Sequence, residues 1–319
     1  MTCIITGANR GLGYETARVL AVDRSRTLIL AGRDLGRLAE VAQRIRADTG
    51  NPNLVPMHLD LASLSSVRAF AAEFRTRGLP PLKVLICNAG RSGATAHERS
   101  ADGYELTFAV NHLGHFTLVH LLLDCVQPPA RVLFVSSGTH GTDHTRGSAP
   151  PERYRKAEWL AYPERNPDLP VKESVAGEQA YAASKLCNIL CVYELARRLE
   201  ASGLSTAERP ITVNAFNPGL LAGTDLGRDQ RPWMRFVWYH VLPALSRAMG
   251  FGRTPAQAGA DLAYLATEPA LAQVSGQYFD GREQAESSAE SHDLDKAADL
   301  WQTSIRLSGL EPHESPLLS

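Results

Sequence analysis

The chain has 319 residues, 44% of them hydrophobic and 21% charged, and a net charge of −1. This is an ordinary globular balance with ample material for a core, and it leaves no bulk electrostatic case for a nucleic-acid partner. The five cysteines are odd in number and lie mostly in apolar runs, which argues for reduced thiols in a cytoplasmic protein rather than a disulfide frame.

Met1 stands almost on the first strand, so no signal peptide is expected, and no apolar run is read as long enough to span a membrane. Cys3-Ile4-Ile5-Thr6 is a short, β-prone apolar run. Gly7-Ala8-Asn9-Arg10-Gly11-Leu12-Gly13 follows it, and Tyr14 to Leu20 reads as helix. A strand, a glycine turn and a helix N-terminus make a phosphate cradle. Gly7 allows the tight turn, Gly11 lets backbone N–H groups approach a pyrophosphate, and Gly13 lets helix and strand pack closely. Asn9, Arg10 and Leu12 fill the rest of the loop. A glycine-rich turn without a ligand is the plain alternative.

Thr27 to Ala31 reads as the second strand, ending at Gly32-Arg33-Asp34. An acid at this place, about 20 residues past the glycines, binds a ribose 2′-hydroxyl. Here Arg33 comes first, and Arg10 lies inside the loop. Two guanidinium groups suit a 2′-phosphate, which favours NADPH/NADP as cofactor. Asp34 is the counter-argument if it points back at the ribose, and a solvated strand-end charge is the plain reading of Arg33.

Residues 35–50 look helical, and Asn53 to Leu59 is the third strand, followed by Asp60-Leu61. Asp60 either meets an adenine amino group or caps the helix starting near Ser63. Lys83 to Cys87 is the fourth strand. Asn88-Ala89-Gly90 closes it with small residues where a cofactor can lie against backbone. Strands alternating with helices imply a parallel sheet with right-handed crossovers. A long helix pattern runs from Gly103 to Val126, and Asn111 inside it is a polar residue needing a reason. His112, His115 and His120 lack partner carboxylates and are read as structural, so no metal is expected.

Arg131 to Ser137 is the fifth strand, ending in two serines. Residues 139–178 then form an irregular insertion. Helix returns at Glu178 and runs to about Glu200. Ile211 to Phe216 is the sixth strand, ending in Asn217-Pro218-Gly219. A second insertion, 221–253, carries an apolar aromatic segment from Trp233 to Leu245. A helix over 255–267, a seventh strand from Gly276 to Asp280 and a helix over 293–308 complete the expected domain, 1–310. Residues 311–319 read as a flexible tail.

Tyr181 and Lys185 are one helical turn apart and share a face. A phenol has a pKa near 10, and a neighbouring ammonium favours its phenolate. Ser137, at a strand end, can hydrogen-bond a substrate oxygen, and Asn111 can hold a water linking Lys185 to solvent. Together these make an acid–base apparatus for hydride transfer.

Thr6-Gly7-x-x-x-Gly11-x-Gly13, Asn88-Ala89-Gly90, Asn111, Ser137, Tyr181-x-x-x-Lys185 and Pro218-Gly219, in this order, resemble the short-chain dehydrogenases/reductases over nearly the whole chain. The resemblance implies an α/β fold: a single Rossmann-type, doubly wound domain. We expect a seven-stranded parallel sheet, helices on both faces and insertions after strands five and six. It also implies a Ser–Tyr–Lys site at Ser137, Tyr181 and Lys185 with Asn111 in support. Lys185 also takes the nicotinamide ribose, and Leu220 and Thr224 take the carboxamide. Phe108 to Phe116, Ser184 to Asn188 and the long gap from Ser137 to Tyr181 are similar to the protochlorophyllide reductases and retinol dehydrogenases within that family. Those photoenzymes carry a cysteine directly after the Pro-Gly, where this chain has Leu220. Cys187 is read as packing.

The expected activity is therefore NADPH-dependent interconversion of a carbonyl and an alcohol on a lipophilic small molecule. Reduction of a conjugated C=C bond and NADPH binding without turnover stand as alternatives. The 233–245 segment is expected to cover the substrate, and a peripheral membrane contact is a further use for it. Leu190, Tyr193 and Arg197 are placed on an exposed helix face, with homodimer and monomer equally open.

Overall fold

β1 (Thr2–Thr6) is five consecutive buried residues, the pattern of a strand covered on both faces. Cys3 and Ile5 enter one apolar layer and Ile4 the other, as a two-residue period requires. The structure is a computed structural model and describes residues 1–92, 95–140, 154, 156–168, 173–219, 221 and 252–318. The expected cover, 222–251, lies outside the described residues, as do Leu220, Thr224 and most of the first insertion.

The chain alternates through α1 (Gly11–Leu20), β2 (Thr27–Gly32), α2 (Leu35–Thr49), β3 (Leu54–His58), α3 (Leu64–Thr76) and β4 (Leu82–Cys87). A continuous helix follows, made of α4 (Leu106–Phe108), a π-helical turn (Ala109–Leu113) and α5 (Gly114–Leu122). Then come β5 (Val126–Val135), α6 (Ala157–Ala161), α7 (Glu173–Ala201), β6 (Ile211–Asn217), α8 (Pro255–Thr267), β7 (Gln277–Asp280), β8 (Glu283–Ala285) and α9 (Leu294–Ser308). The sheet order is β3-β2-β1-β4-β5-β6-β7-β8. α1, α2 and α8 cover one face, and α3, α5 and α7 cover the other. Strand order reverses between β1 and β4, which opens a crevice at the strands' carboxyl ends.

Four expectations are corrected. The sheet has eight strands, not seven: β8 pairs antiparallel with β7 through a turn at Gly281, whose φ is +65°. Three residues, two of them exposed and polar, leave no strand signal in the sequence. Secondly, the helix Leu106–Cys125 is long and apolar enough to cross a membrane, yet 89% of its apolar window is buried inside the protein. Its apolarity follows from burial on the whole circumference of α5.

Thirdly, the expected free tail is docked. Arg68 pairs with Glu314 and donates from Nη2 to the Gly309 carbonyl at 2.8 Å, while Ser315 is buried with its Oγ 2.8 Å from His120 Nδ1. Lastly, α7 starts at Glu173, and its proposed outer face is not free. Leu190 is fully buried and Tyr193 stacks on His292 with ring centroids 4.9 Å apart; only Arg197 of the three is exposed as expected, paired with Glu194 on the same helix.

Candidate active site

The glycine turn is tight for reasons the coordinates make explicit. Gly7 has φ +67° and Gly11 φ +55°, both in the region where side chains are strained. A Cβ on Gly13 would stand 2.5 Å from the Gly7 carbonyl oxygen and 2.6 Å from Asn88 Nδ2. Only a hydrogen there lets α1 approach β1 and β4, so the N-terminus of α1 faces the crevice. Asn88 Nδ2 donates to the Thr6 carbonyl at 2.7 Å, and the Asn88 and Ala89 N–H groups both donate to Thr6 Oγ1 at 2.9 Å. The β1 and β4 ends are thereby locked side by side.

The crevice is a cavity of about 890 Å³. Gly7, Asn9, Arg10, Gly11, Leu12 and Gly13 line its floor, with Asp60, Leu61, Asn88, Ala89 and Gly90 on one wall and Pro218 beyond. Tyr181 and Lys185 line it too, as do Arg33 and Arg37. A second cavity, about 590 Å³ around Tyr193 and His292, shares none of these residues.

At the arginine end the structure decides the role of Asp34. Its carboxylate caps α2, accepting from the Arg37 N–H at 3.0 Å, and pairs with Arg37 Nε at 3.3 Å. The Asp34 carboxylate is thus engaged with its own helix, and Asp34 lines the cavity beside exposed Arg33. Arg37, which the sequence reading passed over, lines the same end. Nothing in the sequence pattern marked it, although it is the third residue of α2, next to the strand end. Asp60 accepts from the Ala62 N–H at 3.0 Å in a local turn, and the α3 cap is Ser63. The Asp60 carboxylate thus stays on the crevice wall.

At the other end, the two serines after β5 divide their work. Ser136 is buried, and its hydroxyl donates to the Lys185 carbonyl at 2.9 Å. Ser137 Oγ instead accepts from Thr139 Oγ1 at 3.1 Å, and the Ser137 side chain acts on the Tyr181 phenol by lowering its pKa. His140 holds this turn: its Nδ1 is 2.7 Å from the Ser137 carbonyl, and its Nε2 accepts from the Ser288 N–H at 3.0 Å. Asn217, at the end of β6, accepts from the N–H groups of Gly138 and Gly219, each at 3.1 Å. Gly219 therefore sits beside the serine turn.

Lys185 is buried, its Nζ donating to the Val135 carbonyl at 3.0 Å and lying 5.6 Å from the Tyr181 ring centroid. Burial lowers the ammonium to about 8 and pushes the Tyr181 phenol up to about 12, with the Ser137 hydrogen bond pulling the phenol back. Cys187 is buried behind them and its thiol is raised well above its ordinary range, as expected of a packing residue.

Asn111 sits in the π-helical turn, where the Gly114 N–H reaches back five residues to the Ala109 carbonyl. Such turns recur at functional sites. Its amide is committed to protein: Oδ1 accepts from the Arg91 N–H at 2.8 Å, and Nδ2 donates at 2.9 Å to both the Arg91 carbonyl and Ser184 Oγ. The amide clamps the β4 loop to α7, and its oxygen keeps a second lone pair. Arg91, paired with Glu98 at 2.5 Å, lines the crevice and was missed in the sequence. His112 and His120 reach Ser304 and Ser315 at 3.0 and 2.8 Å, each tying the core helix to the C-terminal segment.

A doubly wound sheet with a glycine turn at its switch point, and a Ser, a Tyr and a Lys gathered at one end of the crevice, defines a dinucleotide-binding oxidoreductase. The family model described as short chain dehydrogenase matches residues 1–149, and that of an AcuH dehydrogenase domain matches 228–317. Human retinol dehydrogenase 13 is 37% identical, over 99% of this chain and 88% of its own. Chloroplastic protochlorophyllide reductase A of Oryza sativa subsp. japonica is 35% identical, over 96% of this chain and 80% of its own. An uncharacterised protein from Mycobacterium paratuberculosis has a crystal structure that superposes with a TM-score of 0.68 at 30% identity, covering 97% of this chain and 94% of that one. The chain belongs to the short-chain dehydrogenase/reductase family.

Proposed function

We propose that the chain is an NADP-dependent oxidoreductase that interconverts a carbonyl and an alcohol on a lipophilic small molecule. The observation that carries this reading is one crevice lined both by Tyr181 and Lys185, with the β5-end serines beside them, and by Arg10, Arg33 and Arg37. The residues fit the cofactor: the space a Cβ on Gly13 would take is already filled by backbone, and the guanidinium groups suit a 2′-phosphate. When bound, NADPH supplies the hydride.

The chain's residues would do the rest. With a phenol raised to about 12, Tyr181 keeps its proton at neutral pH and is set to donate it to a developing alkoxide. Ser137 hydrogen-bonds the same oxygen. Lys185, at about 8, is still largely an ammonium at pH 7; it orients the ribose and favours the phenolate that forms. Relatives named for retinol and protochlorophyllide support an apolar substrate. In this reading 1–310 is one catalytic domain working in the cytoplasm, and 221–253 covers the substrate. Reduction of a conjugated C=C bond is the second reading, favoured by the protochlorophyllide reductase similarity and disfavoured by Leu220.

The test is NADPH consumption with a panel of apolar aldehydes and ketones. Tyr181→Phe is expected to keep NADPH binding and lose turnover by roughly 10²–10⁴-fold. Lys185→Met is expected to lose both. Near-normal kcat in Tyr181→Phe would show the carbonyl mechanism to be wrong.

A further inference from the structure

His115 is fully buried behind the crevice wall residues Asn88 and Ala89 and has no part in the chemistry described above. Its Nδ1 lies 3.1 Å from the Asn111 backbone carbonyl. A carbonyl only accepts, so Nδ1 carries the ring proton and Nε2 is left as an acceptor. Nε2 is 2.9 Å from Thr6 Oγ1, which therefore donates to it. The same oxygen accepts from the Asn88 and Ala89 N–H groups, both at 2.9 Å. Two bonds accepted and one donated use the whole capacity of the hydroxyl. The next acceptor for its proton, the Ile86 carbonyl, is farther away at 3.3 Å.

This places one imidazole against three parts of the site. Thr6 leads directly into the glycine turn. Asn88 and Ala89 form the crevice wall. Asn111 holds Ser184, the neighbour of Lys185. Burial lowers the His115 pKa to about 4, and the nearby Lys185 charge pushes the same way, so the ring is neutral and able to accept.

We propose that His115 is a positioning residue: through Thr6 it sets the glycine turn and the β4 wall, and through the Asn111 carbonyl it sets the π-helical turn beside Lys185. It touches neither cofactor nor substrate. A merely structural histidine would hold the fold together without affecting how the folded protein binds a nucleotide. The two contacts can be separated, because a glutamine amide reaches to about where Nε2 stands and an asparagine amide to about where Nδ1 stands.

The experiment uses the full chain with NADPH as the probe, reading its dissociation constant by nucleotide fluorescence and recording Tm alongside. His115→Phe keeps a ring against Phe134, whose centroid is 6.4 Å away, and removes both bonds. It is expected to weaken NADPH binding by roughly tenfold or more. His115→Gln, which can still accept from Thr6, is expected to recover most of that affinity. His115→Asn, which reaches only Asn111, is expected not to. If His115→Phe does not fold, the Gln and Asn variants carry the comparison. Equal affinities across the variants, or the reverse order, overturn the proposal whatever happens to Tm. The inference rests on reading the crevice as an NADPH site. Failure of the parent protein to bind NADPH would remove that reading and this inference with it, whereas equal binding by all variants would remove only the role of His115.

Discussion

His112, His115 and His120 project from one helix into the interior, where burial lowers them to about 3, 4 and 3 from an ordinary 6.5. In the folded protein these rings stay neutral at pH 5, while in the unfolded chain they take up protons below pH 6.5. The unfolded state therefore binds more protons as the pH falls. Stability is at its full value above about 6.5 and is lost on the way down to the folded values near 3–4. By linkage each ring costs about 2 kcal/mol at pH 5 relative to pH 8, and the three together on the order of 6 kcal/mol. That is comparable with the whole stability of an ordinary domain, about 5–15 kcal/mol. Glu105 opposes this in part, because burial raises its carboxyl and its protonation in acid is relieving. Urea unfolding at pH 8 and pH 5, followed by tryptophan fluorescence, measures the loss. His120→Asn assigns it to the rings, since the shorter amide can still meet Ser315 but does not titrate. The variant is expected to be less stable at pH 8, yet to lose about 2 kcal/mol less than the parent between the two pH values. An unchanged midpoint in the parent, or an identical loss in the variant, would refute the reasoning.

Cofactor choice and the tightness of the turn give two more tests. Arg33→Asp is expected to weaken NADPH by about 1.5–3 kcal/mol and to favour NADH, because an acid repels a 2′-phosphate and accepts from a 2′-hydroxyl. Titration of both nucleotides checks it, and equal NADPH affinity in mutant and parent would sink the assignment. Gly13→Ala puts a carbon where the Gly7 carbonyl already lies 2.5 Å away. A cost of about 1–3 kcal/mol, seen as weaker NADPH binding and a lower Tm, is expected; a variant that bound and melted like the parent would contradict the close approach of α1.

What the sequence revealed and what it hid divide along a physical line. Gly7, Gly11 and Gly13 were readable because their demands are local: a positive φ, or a hydrogen where a methyl will not fit. Tyr181 and Lys185 were readable because helical period alone puts them on one face. Ser137 could be preferred to Ser136 only through the family resemblance, because no local pattern separates two adjacent serines; in the structure Ser136 is bonded to the α7 backbone and Ser137 to Thr139. Arg37 was not readable, because its place depends on which way Asp34 turns, and that is settled by a cap hydrogen bond. The docked tail was not readable either. Polar residues at a chain end look like a frayed terminus until Arg68 and His120, some 200 residues or more away in sequence, are brought against Glu314 and Ser315.

Asn111 marks where local reasoning stops. A polar side chain in an apolar helix announces that something binds it, but not what. The chemistry nearby suggested a water. The structure shows the Arg91 backbone and Ser184 as its protein partners, and these contacts form where a π-helical turn sets the asparagine between the β4 loop and α7. That extra residue in the turn has no periodicity signature of its own, since the apolar pattern around it is nearly continuous. The amide therefore joins two crevice walls that meet nowhere in sequence, and its hydrogen bonds make it costly to move. The proposed catalytic end can then be rigid around Lys185 through ordinary hydrogen bonds alone. His115, four residues further along the same helix, ties that rigidity to Thr6 at the start of the glycine turn.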